Sequence, residues 1–322
     1  MSNMDAVILG RIGYDLYADE KEQHVPLEQV RTFSRYLGGS SANMAVGLSR
    51  LGAKVGIISA LGSDSLSQFL TGFLQKEGVN TSHVQTAPGF LPSLCLTEVS
   101  PPDSFPQVFY RHDAVDTKLD ATEDDLAFAA TGRMFITNGT SFCASPSRES
   151  TYRAMERAKN AGVPVVLDVD FRSMSWRSPA EAGLAIRLAL PFVDVLIANP
   201  LELKLATAED DFEKGVQKVM RAGVPLLLAK LGESGTRAIT ATETVYLPPY
   251  KVDVCTTIGA GDGFASGFLY GRLQNKSLTD CLHYGNATAA IVVSRLCCSE
   301  AMPTLPEVEA LIAEQKATCV PA

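Results

Sequence analysis

The sequence of 322 residues lacks a membrane-spanning run, an excess of basic charge and a targeting signal. No apolar run reaches the roughly 18 residues that a transmembrane helix needs. The 28 basic residues are outnumbered by 36 acidic ones, which gives a net charge of −8. This balance argues against a nucleic-acid or membrane partner and leaves small anions possible at local sites. The start, MSNMDAVILGRIGYD, has no basic leader or cleavage site, so we expect a cytoplasmic protein.

Paired cysteines are also missing. The chain has seven scattered cysteines, none in a C-x-x-C pair, and no histidine is spaced for zinc. They are Cys95, Cys143, Cys255, Cys281, Cys297, Cys298 and Cys319. The pattern predicts buried, reduced thiols rather than disulfides or a zinc site.

Two common nucleotide-binding motifs are absent as well. There is no G-x-x-x-x-G-K-[ST] loop and no G-x-G-x-x-G after a first strand, which removes the P-loop and Rossmann fingerprints. No internal repeat, low-complexity tract or linker divides the chain. We therefore expect one domain over residues 1–322, since 46% hydrophobic residues suffice for a large core.

What the chain does have is an alternation of apolar strands and amphipathic helices. The runs RMFITNG, VPVVLDVDF, VDVLIAN and VPLLLAKLG read as short strands, and helical patterns separate them. Strands that alternate with helices form right-handed βαβ units. The prediction is an α/β fold with a mostly parallel sheet that helices cover on both faces.

Two segments break this alternation, at about residues 14–37 and 91–118. They contain β-rich stretches such as SLCLTEV and QVFYRHD, joined by the turn SPPDSFP, and have no helix of their own. They cannot close a core alone, so we predict a small β-sheet lid beside the main sheet. Its open face and edges predict a homodimer that pairs lid to lid.

A glycine-rich stretch, TTIGAGDGFASGFLYGRL, begins at residue 256. Glycines are unfavourable inside a helix, but at a helix start they expose backbone N–H groups to an anion. Gly259, Ala260 and Gly261 can form such an anion hole, and Asp262 can take a proton from an attacking hydroxyl. The alternative is a glycine-rich turn with an ordinary N-terminal helix acid.

Polar residues follow several predicted strands, at the edge where open α/β sheets bind ligands. After VPVVL, VDVLIA and VPLLLA these residues are, in turn, Asp168, Asp170 and Arg172; Asn199 and Glu202; and Lys230, Gly232 and Gly235.

The two glycine motifs resemble signatures of one family. The stretch ending in GAGD is similar to the C-terminal signature D-T-x-G-A-G-D of the ribokinase-like (PfkB) carbohydrate kinases, and GGSSANMAVGLSRLGAKVGIISALG is similar to their N-terminal one. Asn199 and Glu202 match the family's N-x-x-E element, and the late EAMPT also fits. The resemblance implies a ribokinase-like three-layer α/β/α domain that phosphorylates a sugar with ATP and Mg²⁺.

Four segments narrow the resemblance, namely GRIGYDLY, PPDSFPQVFYR, DVDFRSMSW and SRLCCSEAMPT. They look like the branch that phosphorylates the primary hydroxyl of 5-dehydro-2-deoxy-D-gluconate to the 6-phosphate in myo-inositol catabolism. The alternatives are a 2-dehydro-3-deoxygluconokinase, another sugar kinase such as a fructokinase, or a catalytically silent sugar-acid sensor.

The family resemblance also assigns roles. It makes Asp262 the base and Gly259 to Gly261 the anion hole. The residues that would grip sugar hydroxyls are Asp15, Gly38, Gly39 and Asn43. Arg111 and Arg172 would clamp the substrate carboxylate, because guanidinium matches carboxylate bidentately. Arg111 could instead be a solvated charge on an exposed lid edge.

On the nucleotide side, the resemblance places Asn199 and Glu202 near Mg²⁺ and its waters. Lys230, Gly232 and Gly235 would lie along the ATP phosphates and ribose, and Asn286 near the adenine. Asn199 could merely cap a helix beside an exposed Glu202, and Asn286 could merely satisfy a neighbouring backbone. Thr256 replaces the first Asp of D-T-x-G-A-G-D, which puts a monovalent-cation site in doubt.

Overall fold

The computed structural model describes residues 4–101 and 104–318. Two residues of the predicted turn SPPDSFP, at 102 and 103, lie outside these ranges, as does Cys319. The other six cysteines are free thiols; Cys95, Cys281, Cys297 and Cys298 are buried as predicted, whereas Cys143 and Cys255 are only partly buried. Within the described ranges no helix combines the length and apolar character that a bilayer crossing demands.

The strands are β1 (Met4–Leu9), β2 (Gly13–Ala18), β3 (Phe33–Gly38), β4 (Val55–Leu61), β5 (Asn80–Thr86), β6 (Ser93–Thr97), β7 (Gln107–Tyr110), β8 (Gly132–Asn138), β9 (Val165–Asp168), β10 (Val195–Ala198), β11 (Leu226–Lys230), β12 (Thr236–Ile239) and β13 (Thr244–Leu247). The helices are α1 (Ser40–Arg50), α2 (Ser65–Lys76), α3 (Glu123–Ala129), α4 (Ser147–Asn160), α5 (Pro179–Ala189), α6 (Pro200–Thr207), α7 (Phe212–Arg221), α8 (Ala260–Leu273), α9 (Leu278–Val293) and α10 (Leu305–Thr318).

Nine strands form the main sheet, in the order β13-β12-β11-β10-β9-β8-β1-β4-β5. The pairs from β11 across to β5 are parallel, and β12 and β13 are antiparallel at one edge. Helices α1, α9 and α10 pack with α8 or with one another, while α5, α6 and α7 form a second packed series. The prediction of a mostly parallel sheet between helical layers is confirmed.

The central strands of the main sheet are mostly apolar. Every residue of β4 is buried, and the core of β1 is fully inaccessible to solvent. A strand covered on both faces cannot alternate polar and apolar residues, which explains the continuous runs in the sequence. The charged and polar residues of the site are therefore concentrated at or beyond the carboxyl ends of the strands, as with Asp168 at the end of β9.

A separate four-stranded sheet forms the lid, in the order β3-β2-β6-β7. It comes from the two segments that break the strand–helix alternation, so the prediction of a lid sheet is confirmed. Asp15 pairs with Cys95, which pairs with Phe109, and this row crosses three lid strands on one face. Val108 and Tyr110 alternate with that row and are exposed on the other face.

Candidate active site

A cleft lies where the inner face of the lid meets the carboxyl-terminal edge of the main sheet. Its wall combines lid residues with the glycine turn before α8 and with the segment after β9. The residues of the cleft that the sequence predicted as candidates are Asp15, Gly39, Asn43, Asp170, Arg172, Gly259 and Asp262. Segments far apart in the chain thus converge on one site.

Asp262 lies in the first turn of α8 and is buried, with 8% of its surface exposed. Its two carboxylate oxygens accept hydrogen bonds from the Ser40 hydroxyl at 2.6 Å and the Asn43 amide at 2.7 Å. Burial raises the pKa of Asp262, the negative charge of Asp170 raises it further, and both hydrogen bonds oppose the shift. The carboxylate is therefore oriented and more basic than an exposed aspartate.

The glycine turn leads into α8 as the sequence suggested. Gly259 caps the helix in a left-handed conformation, with φ of 84°, and a side chain there would press against the Cys298 Sγ. Lys230 Nζ lies 3.5 Å from the point where a Cβ of Gly261 would be. The first N–H groups of a helix have no intrahelical partners. Together with the Lys230 ammonium they make this end of the cleft attractive to an anion.

Asp15 lies opposite this turn, on the inner face of the lid. Burial raises its pKa to about 6, although the positive charge of Arg11 works against the shift. Its Oδ1 is buried without a hydrogen-bond partner. Gly38 leaves room for this carboxyl group, because a Cβ at that position would lie 2.1 Å from it. This Oδ1 can therefore accept a hydrogen bond from a hydroxyl group of a ligand.

A mixed cluster of charges lies behind the glycine turn. Lys230 Nζ donates to the Asp168 Oδ1 at 2.8 Å and lies 3.8 Å from the Glu202 Oε2. Burial and then the neighbouring acids Glu202 and Asp170 raise the pKa of Asp168, while Lys230 opposes the rise. Burial disfavours the charge of Lys230, yet these carboxylates keep its pKa above the ordinary value. The carboxylates of this cluster outnumber the Lys230 ammonium, so there is room for further positive charge.

Asn199 and Glu202 form a capping box at the start of α6. The Asn199 side chain accepts from the Glu202 N–H at 2.9 Å, and the Glu202 Oε2 accepts from the Asn199 N–H at 2.7 Å. The capping that the sequence left open as an alternative is present, but Glu202 is buried rather than exposed. Its Oε1 also accepts from the Phe171 N–H.

In the described ranges no group of three or more histidine, cysteine or acidic side chains is arranged to hold a metal ion. Mg²⁺ does not need such a cage, because it keeps several waters and binds one or two carboxylates together with substrate phosphates. Glu202, beside Asp168 and Asp170, provides oxygen ligands and surplus negative charge of this kind. The residues present fit a magnesium ion that arrives with a nucleotide.

The two arginines that the sequence predicted as a carboxylate clamp are placed differently. Arg172 lines the cleft, with its side chain 46% exposed and its Nε donating to Asp170 at 3.0 Å. Arg111 is buried and donates to Asp116 at 2.5 Å and to the Thr140 carbonyl at 3.0 Å. The idea of a solvated charge on an exposed lid edge is therefore wrong, because Arg111 turns inward at the end of β7.

Other predicted residues lie away from the cleft wall. Gly232 and Gly235 flank the turn before β12, both with positive φ. Asn286 is buried on α9, where its amide accepts from the Thr236 hydroxyl and donates to the Pro248 carbonyl. Thr256 is fully buried, and its hydroxyl accepts from the Ile258 N–H in the glycine turn.

Sequence reasoning missed several residues of the cleft. Arg11 lines it from the turn between β1 and β2, and Gln107 and Phe109 line it from β7. The period of two along β7 carried a signal, since residues 107 and 109 share a face. Ser40 follows directly after the predicted Gly39, but nothing in the sequence showed that its hydroxyl reaches Asp262.

With this geometry in place, comparison with known proteins identifies the family. Residues 3–305 match the pfkB family of carbohydrate kinases. The 5-dehydro-2-deoxygluconokinase of Geobacillus thermodenitrificans (strain NG80-2) is 35% identical over 320 residues, which cover 98% of this chain and 94% of that relative.

Two solved structures share the fold. Fructokinase from Xylella fastidiosa with bound ATP superposes with a TM-score of 0.84 and 28% identity, over 97% of this chain and 99% of that one. A putative ribokinase II from E. coli in complex with ATP and Mg²⁺ gives a TM-score of 0.88 at 22% identity, with the same coverage. The chain belongs to the pfkB family of carbohydrate kinases, and it is an ATP-dependent carbohydrate kinase.

Proposed function

We propose that this kinase transfers the γ-phosphoryl group of ATP to the primary hydroxyl of a keto-deoxy sugar acid. The acceptor is 5-dehydro-2-deoxy-D-gluconate, and the product is its 6-phosphate in myo-inositol catabolism. The observation that carries the reaction is the buried Asp262, held by Ser40 and Asn43 directly after the glycine turn. The relatives at about 35% identity support the choice of acceptor.

Asp262 serves as the general base. It accepts the proton of the primary hydroxyl while that oxygen attacks the γ-phosphorus, and the bond to ADP breaks in line. The raised pKa of Asp262 strengthens it as a base, and its two hydrogen bonds fix the orientation of the carboxylate in the wall of the cleft. Base catalysis of this kind contributes about 10²–10⁴ in rate.

The glycine turn and Lys230 form the phosphate end of the site. Backbone N–H groups of Gly259, Ala260 and Gly261 stabilise the charge that develops on the transferring group, and Lys230 adds a cation beside Gly261. Gly232 and Gly235 border the path of the ribose. Asn286 would lie near the adenine, and its side-chain amide is already bonded to the Thr236 hydroxyl and the Pro248 carbonyl.

Asn199 and Glu202 would hold Mg²⁺ and its waters beside the phosphates. When bound, the ion supplies positive charge that offsets the charge on the phosphate oxygens. In this chain the buried carboxylate of Glu202 stays oriented by the N–H groups of Asn199 and Phe171. The replacement of an acid by Thr256 removes one ligand from any monovalent-cation site beside the turn.

The sugar lies between the lid and α1. The unpartnered Oδ1 of Asp15 accepts a hydrogen bond from a sugar hydroxyl. Gly38 and Gly39 have no side chain, which lets their backbone lie close to the neighbouring groups of the site. Asn43 bridges this side to Asp262. Arg172 contributes positive charge at the mouth of the cleft, whereas Arg111 would have to leave Asp116 to reach a substrate.

A coupled kinase assay over a panel of acceptors tests the proposal. The panel contains 5-dehydro-2-deoxygluconate, 2-dehydro-3-deoxygluconate, fructose and ribose at equal concentration with ATP and Mg²⁺. We expect the highest kcat/KM for 5-dehydro-2-deoxygluconate. Preference for 2-dehydro-3-deoxygluconate would move the enzyme to the neighbouring branch of the family. Preference for fructose or ribose would contradict a sugar-acid kinase altogether.

A further inference from the structure

Arg11 is a nearly buried cation in the cleft, near Asp15, and it forms no salt bridge with any carboxylate of the described residues. Only 8% of its surface is exposed. Within residues 4–101 and 104–318 no carboxylate oxygen lies within 4.0 Å of its guanidinium, and its one hydrogen bond to protein goes from Nη1 to the Ser93 hydroxyl at 2.9 Å. By contrast, Arg111 is paired with Asp116 and Arg172 with Asp170. A buried charge is costly unless an opposite charge or several hydrogen bonds compensate it.

The surroundings hold this guanidinium in place. Ser93 anchors one end, and the group lies 5.9 Å from the centroid of the Phe109 ring. Gly13 makes room for it, because a Cβ there would lie 2.4 Å from Nη1. A guanidinium has five N–H donors, so one bond to Ser93 leaves four for a ligand. The fork is therefore oriented before any substrate arrives.

The position of Arg11 separates it from the phosphate end. Lys230, the cation beside Gly261, belongs to the cluster with Asp168 and Glu202. Arg11 instead shares its wall with the lid residues Asp15 and Phe109. An anion bound by Arg11 therefore lies on the sugar side of the cleft.

We propose that Arg11 is the specificity-determining residue of the cleft and that its guanidinium binds the carboxylate of the sugar acid. This inference rests on the proposed function. A carboxylate matches the planar fork of arginine bidentately and supplies the charge that Arg11 lacks. The carboxylate-binding role that the sequence predicted for Arg111 is thus assigned to Arg11, in the turn between β1 and β2.

The test compares an acid with a neutral analogue of the same shape. Wild type, Arg11→Gln and Arg11→Lys are assayed with 5-dehydro-2-deoxygluconate and with the neutral ketose in which a hydroxymethyl group replaces the carboxylate. Arg221→Gln is the matched control, since it removes the same charge from an exposed position on α7. Thermal melting of each variant shows that it is folded.

For Arg11→Gln we expect kcat/KM for the acid to fall by about 30- to 1000-fold, as when one partner of a buried charge pair is removed. Most of the loss should lie in KM, because the carboxylate is remote from the reacting hydroxyl and binds equally in the ground and transition states. The neutral ketose and the KM for ATP should change little. Arg11→Lys should recover part of the loss, and Arg221→Gln should match wild type.

The outcomes separate the two proposals. If wild type does not phosphorylate the acid, the proposed function fails and Arg11 loses its ligand. If wild type prefers the acid but Arg11→Gln loses both substrates equally or neither, only the assignment of Arg11 is overturned. Should Arg11→Gln not fold, Ser93→Ala frees the guanidinium from its anchor. A selective rise in KM for the acid in that variant supports the inference, and an equal change for both substrates overturns it.

Discussion

At the scale of single residues, the two buried carboxylates of the cleft differ in how they are held. Asp262 has a partner on each oxygen, whereas Asp15 keeps one oxygen unpaired. Burial is the largest cause of the raised pKa of both residues. A group whose pKa is raised by folding destabilises the protein when it is charged, so the ligand-binding and catalytic roles proposed for these two residues come at a cost in stability.

Replacing Asp262 tests its role as the base. Asp262→Asn keeps the size and the buried position of the side chain but cannot take a proton, so kcat should fall by roughly 10² or more. ATP binding, followed by titration calorimetry, should persist. Asp124→Asn, which changes an exposed acid in the first turn of α3, is the matched control. Near-wild-type turnover by Asp262→Asn would end the assignment.

The raised pKa of Asp15 predicts how the stability of the protein changes with pH. Its folded pKa of about 6 lies above the ordinary pKa of 3.8, so the folded state binds the extra proton between these values. Stability from this group is therefore present at low pH and is lost as pH rises towards 6. Asp15→Asn should be more stable than wild type at pH 8, by up to about 3 kcal/mol, with the difference closing near pH 4.

Thermal melts of wild type and Asp15→Asn between pH 4 and 8 measure this difference in stability. Each unit by which folding raises the pKa of Asp15 corresponds to roughly 1.4 kcal/mol. The variant should also bind the sugar acid poorly. A stability difference that stays constant across this range would show that the carboxyl group of Asp15 titrates normally.

At the scale of elements, glycines set how closely the segments of the site approach. Gly259 provides the left-handed turn into α8, and Gly38 lets β3 pass beside Asp15. By contrast Gly72, in the middle of α2, has no neighbouring atom within 4 Å of the point where a Cβ would lie. The same residue type therefore has opposite consequences at these places.

Two alanine substitutions measure that contrast. In Gly38→Ala the new Cβ would lie 2.1 Å from the Asp15 carboxyl group. The resulting overpacking should cost about 1–3 kcal/mol of stability and raise KM for the sugar. Gly72→Ala should leave kinetics unchanged and stabilise α2 by up to about 1 kcal/mol. Equal behaviour of the two variants in urea unfolding and kinetics would contradict this account of Gly38.

The elements also show what could be predicted from the sequence. Continuous, mostly apolar runs such as β4 indicate a sheet that is covered on both faces. The lid segments could be recognised because they contain β-rich stretches and no helix. The position of Asp262 in the first turn of a helix was predictable, because the glycine-rich stretch directly before it favours a helix start. The partners of Arg11 and Arg111 were not, since they depend on how the lid packs against the main sheet. The sequence left Arg111 open between a carboxylate clamp and a solvated charge, and nothing in it revealed Asp116 as its partner.

At the scale of the whole molecule, the lid has an apolar surface that no other part of residues 4–101 and 104–318 covers. Val108 and Tyr110 are 45% and 64% exposed on its outer face. We propose that a second copy of the chain covers this face, lid to lid, because exposed apolar sheet faces and unpaired strand edges are usually covered by a partner. Dimerisation would then steady the lid over the cleft.

Light scattering at micromolar concentration should accordingly give the mass of a dimer. Tyr110→Lys places a charge on the contact and should shift the protein towards monomer. Leu201→Lys, an equally drastic change at a 56% exposed position on α6, is the control and should remain dimeric. A monomeric wild type with full activity would count against the lid-to-lid pair.

The most direct test of the account is the identity of the product. Wild type is incubated with ATP, Mg²⁺ and 5-dehydro-2-deoxygluconate, and the mixture is followed by proton-coupled ³¹P NMR. Because Asp262 is predicted to activate a primary hydroxyl, a new phosphate ester should appear as a triplet, split by the two protons of one CH₂ group, and it should form roughly 10² times more slowly, or slower still, with Asp262→Asn. A doublet from a secondary carbon, or release of inorganic phosphate alone, would contradict the account.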